Sequence, residues 1–412
     1  MVPKGWVKTN FGSVTNIANG QVDPKIEPYS SMLHIGPENV VSNSGQIIDV
    51  MTCKESNLIS GKYEFDEDAI VYSKIRPNLN KVCQPGFKGV CSADMYPIWA
   101  KSELDIGFLF QYMLGPKFYK IAVAMSMRTG MPKINRSDLN TVPLLLPPIA
   151  EQKKIAQILS TWDKAITTTE QLLANSQQQK KALMQQLLTG KKRLLDKNGV
   201  RFSGEWKYVE IGRVLKEVKR PVDWDDDAEY KLLSVKRRSE GVVLREVLKG
   251  SDILTKKMNV AHSGDFLISK MQIVHGAAGL VSDEFDGFHV SDSYISLIPK
   301  DESKLNIHFF AWFSKQKLMY HKAFLCSYGV HIEKMTFNFK LFLKEKIRVP
   351  VSIEEQQKIA AILSSADQEI SALQQKLDAL KQEKKALMQQ LLTGKRRVQL
   401  NEHNSKVITY GN

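Results

Sequence analysis

The chain has 412 residues, enough for several compact units rather than one. Lysine and arginine number 58 against 44 aspartates and glutamates, and the net charge of +14 favours a polyanionic partner, nucleic acid before an anionic membrane. No run is long and apolar enough for a membrane span, the opening MVPKGWVKTNFGSV lacks the apolar stretch of a signal peptide, and Cys53, Cys83, Cys91 and Cys326 form no CxxC pair and have no histidines at zinc spacing. The expectation is a cytoplasmic protein with structural thiols, no metal and no membrane partner.

Residues 1–147 open with Trp6, followed six residues on by Gly12. Short β-branched and aromatic runs, DAIVYSKIR (68–76) and SADMYPI (92–98) among them, are separated by Gly, Pro and Asn, the pattern of a sheet-rich mixed domain. A helix is expected near residues 105–124. A long helix follows over 148–195, with Pro148 suited to its first turn and Gly190 to a left-handed C-cap. Residues 196–349 hold a linker and a second domain. Trp206 and Gly212 repeat the opening, GDFLISKMQ (264–272) resembles the first run, SDSYISL (291–297) resembles the second, and a helix is expected near 306–324. A second long helix over 350–398 starts at a Ser352–Glu355 capping box and ends at Gly394. Basic clusters follow both helices: Lys191, Lys192 and Arg193, then Lys395, Arg396 and Arg397. The tail, 399–412, has no match within the chain.

The two helices are copies. KKALMQQLLTGKKRL from Lys180 recurs 204 positions on as KKALMQQLLTGKRRV from Lys384, identical at 13 of 15 positions. EQKKIAQILSTWD (151–163) recurs at the same offset as EQQKIAAILSSAD (355–367), identical at 9 of 13. Between these anchors Ile155, Leu159, Trp162, Ile166, Thr169, Leu173, Ser176, Lys180, Leu183 and Leu187 alternate spacings of four and three. Ile359, Leu363, Ala366, Ile370, Leu373, Leu377, Leu380, Lys384, Leu387 and Leu391 repeat them. This is a heptad seam, and the simplest partner for each seam is the other. The expected fold class is α+β: two mixed, sheet-rich domains joined by two long helices forming an antiparallel coiled coil with pseudo-twofold symmetry. Pairing Ile155 with Leu391 places Lys384 opposite Trp162, a cation–π contact, and Lys180 opposite Ala366. A helix of about 39 residues is roughly 58 Å long and covers roughly 17 base pairs. An antiparallel pair would then hold two unlike domains over two short blocks of a split, non-palindromic DNA site.

Catalytic constellations are missing. Thr189-Gly190-Lys191-Lys192 lacks the earlier glycine of a phosphate-binding loop, and there is no GxGxxG, no HExxH and no N-P-P-[FY]. The reading is a non-enzyme without a cofactor of its own. The alternative is a coiled-coil protein scaffold whose basic charge is incidental; a self-contained methyltransferase is a further rival.

The order of elements resembles the specificity subunit of type I restriction–modification systems. PPIAEQKKIAQIL (147–159), VPVSIEEQQKIAAIL (349–363), both LMQQLLTGK stretches and SKIRP (73–77) carry the likeness over nearly the whole chain. The resemblance implies two target recognition domains that choose a bipartite, asymmetric site on double-stranded DNA. It implies two docked modification subunits, adenine methyltransferases using S-adenosylmethionine. Restriction subunits, which use ATP, join the larger complex. The second domain departs from the pattern, reading SKMQIVHGA (269–277) without the Arg-Pro.

Loop residues able to hold phosphate or read base edges are the candidate DNA contacts. In the first domain they are Lys74, Arg76, Asn78, Asn80 and Lys81, with Arg128, Lys133 and Arg136. In the second they are Lys236, Arg237 and Arg238, with Lys270, Gln272, His275, Tyr328, His331 and Lys334. Met184, Leu188, Met388 and Leu392 lie beside the seam and are expected to face the modification subunits, the equal alternative being that they broaden the buried stripe.

Overall fold

The computed structural model describes residues 2–127, 132–329, 331–332 and 335–399. The chain divides into two compact units, one of residues 1–172 with 373–412 and one of residues 173–372. Each unit therefore takes one domain together with part of both long helices.

In the first unit Val7–Asn10 pairs antiparallel with Pro143–Leu146, so the domain's entry and exit lie side by side. One four-stranded sheet runs in the order Thr15–Ile17, Met95–Ala100, Ile70–Ser73, Val82–Cys83. The other runs Met51–Thr52, Leu33–Ile35, Gly89–Ser92, Lys62–Phe65, with its central pair parallel. Strand Ile70–Ser73 is buried on both faces, and its alternation decides where the cores sit. Ile70 and Tyr72 point into the cluster under the helices. Val71 points into the cluster with Ile35, Phe65 and Met95.

The second unit repeats this plan. Trp206–Glu210 pairs with Lys346–Pro350. Leu215–Val218, Tyr294–Pro299, Phe266–Ser269 and Ala278–Leu280 form one sheet. Phe266 and Ile268 face one cluster and Leu267 the other. Its second sheet is grander. A hairpin of Glu229–Lys236 and Gly241–Lys249 replaces the short strands of the first unit.

The helices expected near 105–124 and 306–324 are each split in two. Ile106–Leu114 gives way to Pro116–Ser126 at Gly115-Pro116, where proline cannot continue the helical ladder. Ile307–Ser314 and Lys317–Leu325 are divided at the matching place, Lys315-Gln316, without a proline.

The long helices run Ile149–Leu187 and Ile353–Leu391, 39 residues each. Gly190 and Gly394 take the left-handed conformation, with φ of 71° and 69°, and their N–H groups donate to Leu187 and Leu391. All twenty seam positions are buried or half-buried. In the first unit Lys384 pairs with Asp163 at 2.5 Å and Lys381 with Glu170 at 2.8 Å, so one helix ascends as the other descends. In the second unit Lys180 pairs with Asp367, and Ser176 donates to Glu369 at 3.2 Å, again antiparallel. The expected register holds to one residue: Lys384 lies beside Trp162 in number, but its ammonium is taken by the next residue, Asp163.

Each unit is locked by the same two joints. Glu151 accepts from the Arg397 guanidinium at 2.7 and 2.8 Å and from the Trp6 indole at 3.1 Å. Glu355 accepts from Arg193 at 2.6 and 2.7 Å. The capping box at Ser352 is thus half made: Ser352 accepts from the Glu355 N–H, while the Glu355 carboxylate goes to arginine. The fully buried Gln152 donates to the carbonyls of Glu103 and Pro147 and accepts from the Asp105 N–H. Gln356 repeats this with Lys304, Pro350 and Asn306.

Met184, Leu188, Met388 and Leu392 do not form the expected partner-facing surface. Leu188 is 1 % exposed among Trp206, Phe309 and Ile359, with Met184 packed against the same cluster. Met388 and Leu392 are buried with Trp6, Tyr112 and Ile155. These side chains broaden the stripe that the C-terminal part of the first helix buries against the second domain and that of the second helix against the first domain. All four cysteines are buried thiols, and no described helix is long and apolar enough to cross a membrane.

Candidate nucleic-acid interface

In the first unit the strand ending at Ser73 runs into a tight loop. Arg76 and Asn80 both take left-handed backbone angles, φ 46° and 45°, on either side of the turn Pro77–Leu79. Segment 132–134 lies alongside it. The Arg76 N–H donates to Pro132 and the Ile134 N–H to Lys74, both at 2.9 Å, and Ile75 bridges to Lys133. Lys74, Lys133 and Arg136, from two separate stretches of sequence, are thereby brought together. Lys74 lies 5.0 Å and Arg136 5.5 Å from the centre of one ring, that of Tyr96. Burial holds the Lys74 ammonium below the usual lysine range; repulsion from Lys133 and Arg136 adds to this and Asp94 opposes it.

Other first-domain candidates part company. Arg76, Asn78 and Lys133 are exposed. Asn80 is 2 % exposed, donates to the Leu114 carbonyl at 3.4 Å and accepts the Asn43 N–H, so it shapes the loop and is out of reach of a base. Lys81 is half-buried and spends its ammonium on the Pro37 carbonyl at 2.5 Å. Arg128 lies outside the described residues.

In the second unit the basic stretch Lys236, Arg237 and Arg238 sits at the tip of the long hairpin and is exposed. Arg238 and Ser239 adopt φ of 59° and 56° there. The tip docks on the turn that carries Gln272 and His275. The Arg238 N–H donates to the His275 carbonyl at 2.7 Å and the Ser239 N–H to Gly276 at 2.9 Å. Tyr320, from helix Lys317–Leu325, closes the joint with its hydroxyl 2.6 Å from that of Ser239. A Cβ at Gly276, φ 74°, would lie 2.2 Å from the Tyr320 ring, so only glycine fits. Two candidate clusters are thus one surface. Lys270 differs from Lys74: its ammonium donates to the Asp292 carbonyl at 2.5 Å. Tyr328 and His331 are exposed, Gln272 and His275 half-buried, and Lys334 lies outside the described residues.

Tyr96, Tyr320 and Ser239 were not singled out by sequence reasoning. Tyr96 stands in the SADMYPI run, where it reads as a strand residue. Ser239 and Tyr320 are 81 residues apart, and no local pattern joins them.

A duplicated sheet-rich domain, each copy clamped to parts of two long helices and each carrying cationic loops, has the build of a nucleic-acid-binding module. Among the described residues no histidine, cysteine and carboxylate cluster could hold a metal ion. The profile of the family described as "Type I restriction modification DNA specificity domain" matches residues 3–175 and 187–382, and the chain belongs to that family. It is 39% identical over 156 residues to the type I restriction enzyme EcoDI specificity subunit of Escherichia coli, covering 38% of this chain and 34% of the relative. It is 24% identical over 234 residues to the MjaVIII specificity subunit of Methanocaldococcus jannaschii, covering 54% and 48%. The matches thus span a third to a half of the length of these curated relatives. The crystal structure of a type I restriction–modification S subunit from M. genitalium superposes with a TM-score of 0.60 at 14% identity, over 94% of this chain and 96% of that one. A chain from work on assembly and conformational transition of the type I R-M system gives 0.53 at 18%, over 95% and 98%. These two likenesses establish the fold.

Proposed function

We propose that this chain is the DNA-recognising specificity subunit of a type I restriction–modification complex. It reads a bipartite, asymmetric site on double-stranded DNA and positions adenine methyltransferase and restriction subunits there. It carries no chemistry; S-adenosylmethionine and ATP belong to those partners. The observation that supports this reading is the contrast between joints and loops. Arg–Glu clamp, glutamine joint and Lys–Asp pair recur in both units at an offset of 204 residues. The loops do not recur: a basic hairpin tip in one unit answers to a cation cluster around Tyr96 in the other. Two equal frames with unlike reading surfaces suit two unlike blocks of sequence.

Methylome sequencing of cells with and without the gene tests it. The expected result is loss of N6-methyladenine at one two-block motif. Unchanged methylation, or methyl transfer to DNA by the purified chain alone, overturns the reading. A scaffold with incidental charge would lose DNA at moderate salt and show no sequence preference.

A further inference from the structure

We propose that Lys74 and Arg136, seated on the Tyr96 ring, form with the neighbouring Lys133 a phosphodiester-binding clamp in the first domain that the second domain lacks. The inference rests on the DNA-binding reading and divides the labour within it.

Three observations carry it. First, the cations converge without a bonded carboxylate. Among the described residues none of the three forms an ion pair with an acidic side chain, and Asp94 is the acid felt by Lys74. Second, the Arg136 guanidinium is placed but not satisfied. It donates to the Asn19 side chain at 3.2 Å and to the Ala18 carbonyl, while its Nε–H is buried with no hydrogen-bond partner among the described residues. Like charges gathered on one ring in partial burial are held at a cost that an anion would relieve. A phosphodiester, with one charge and several acceptor oxygens, matches a fork of guanidinium and ammonium donors.

Third, the sheet registers show what stands at the same places in the second domain. Ser73 pairs with Met95, and Ser269 with Tyr294, so Tyr96 corresponds to Ile295 and Lys74 to Lys270. The Lys74 N–H donates to the Asp94 carbonyl and the Lys270 N–H to Ser293, both at 2.9 Å, which fixes the correspondence. The short helices Arg136–Asn140 and Phe339–Phe342 follow Asn135 and Asn338, so Arg136 answers to Phe339. The ring and the guanidinium are replaced by apolar side chains, and the remaining lysine is bonded to a backbone carbonyl. The second domain presents its charge instead at the hairpin tip.

The test is fluorescence anisotropy of a labelled random-sequence duplex. The full-length chain is used, with the subunits it purifies with, over a series of chloride concentrations. Lys133→Gln alters an exposed side chain, and Lys74→Met keeps an apolar stem over the ring; thermal melts confirm that both variants fold as the parent does. Each should lower the slope of log affinity against log salt by about 1, and weaken random and target duplexes by the same factor. Lys270→Gln should leave the slope unchanged, because the Asp292 carbonyl already holds that ammonium and takes Lys270 out of the candidate contacts. Inorganic phosphate should displace the duplex no better than chloride at equal ionic strength. Parental slopes in both first-domain variants, or an equal drop in Lys270→Gln, overturn the clamp and leave the function standing. Phosphate displacing duplex from the parent but not from Lys133→Gln overturns the phosphodiester assignment. A parent that binds no duplex at any salt removes the functional reading and the clamp with it.

Discussion

Lysine at a heptad seam costs stability unless its charge is answered, and Lys180 and Lys384 show how that is done. Each reaches an aspartate on the facing helix, Asp367 or Asp163, and Lys384 is only 8 % exposed. A polar group at one seam position fixes register because any slip leaves both charges unpaired. Lys180 also lies 5.0 Å from the Trp312 ring, with Lys315 at 4.1 Å, so a cation–π contact exists but uses a tryptophan from the domain. His34 is another residue whose surroundings set its chemistry. Burial, with help from the Lys62 ammonium, pulls its pKa from 6.5 to about 4, and its Nε2 is buried without a partner among the described residues. The folded chain keeps this ring neutral while the unfolded chain protonates it near its ordinary value. Between those values the unfolded state binds more protons, so stability falls as pH drops from about 6.5 to about 4. Calorimetry should show the thermal midpoint falling over that window, with a shallower fall in His34→Leu; parallel curves would refute the assignment.

At the scale of elements, the repeat explains itself through its joints. Arg397 of one copy's end holds Glu151 of the other copy's start, and Arg193 holds Glu355 in the same way. Each arginine–glutamate joint draws one partner from each copy, so a change in either arginine or either glutamate breaks a contact inside a unit. This accounts for Arg193 and Arg397, and the pairs to aspartate account for Lys180 and Lys384; the exposed Lys181, Gln185 and Gln186 of the repeated stretch take no part in these joints. Glu355 is buried, and removing its partner strands a carboxylate in a dry site. Arg193→Ala should therefore cost roughly 3 kcal/mol or more, read as a shift in the urea midpoint at unchanged slope. A loss below about 1 kcal/mol, the range of a surface pair, would show the clamp to be ornamental.

For the whole molecule, the governing quantity is helix length. We expect the two helices, at 39 residues each, to set the gap between the two recognised blocks. Seven residues added to both helices, after Leu172 and after Ala372, keep the heptad phase and leave each unit's joints in place. The addition is about 10.5 Å, or roughly 3 base pairs. The motif recovered by methylome sequencing should keep both blocks and widen its gap by that amount. An unchanged gap would free the spacing from the helices.

The antiparallel direction was an analogy with twofold DNA-reading dimers; periodicity and caps, being local, were enough to place two equal helices, their seams and a duplicated sheet-rich domain. Those features follow from 3.6 residues per turn and from glycines and prolines acting on their immediate neighbours. The fate of individual side chains was not local. Asn80 turned inward, Met184, Leu188, Met388 and Leu392 were consumed by the cores, and Lys74 met Arg136 over Tyr96 because strands distant in sequence pair in one register. A cation's reach to DNA depends on which carbonyl or ring lies within a few ångströms of it, and only the folded chain determines that neighbour.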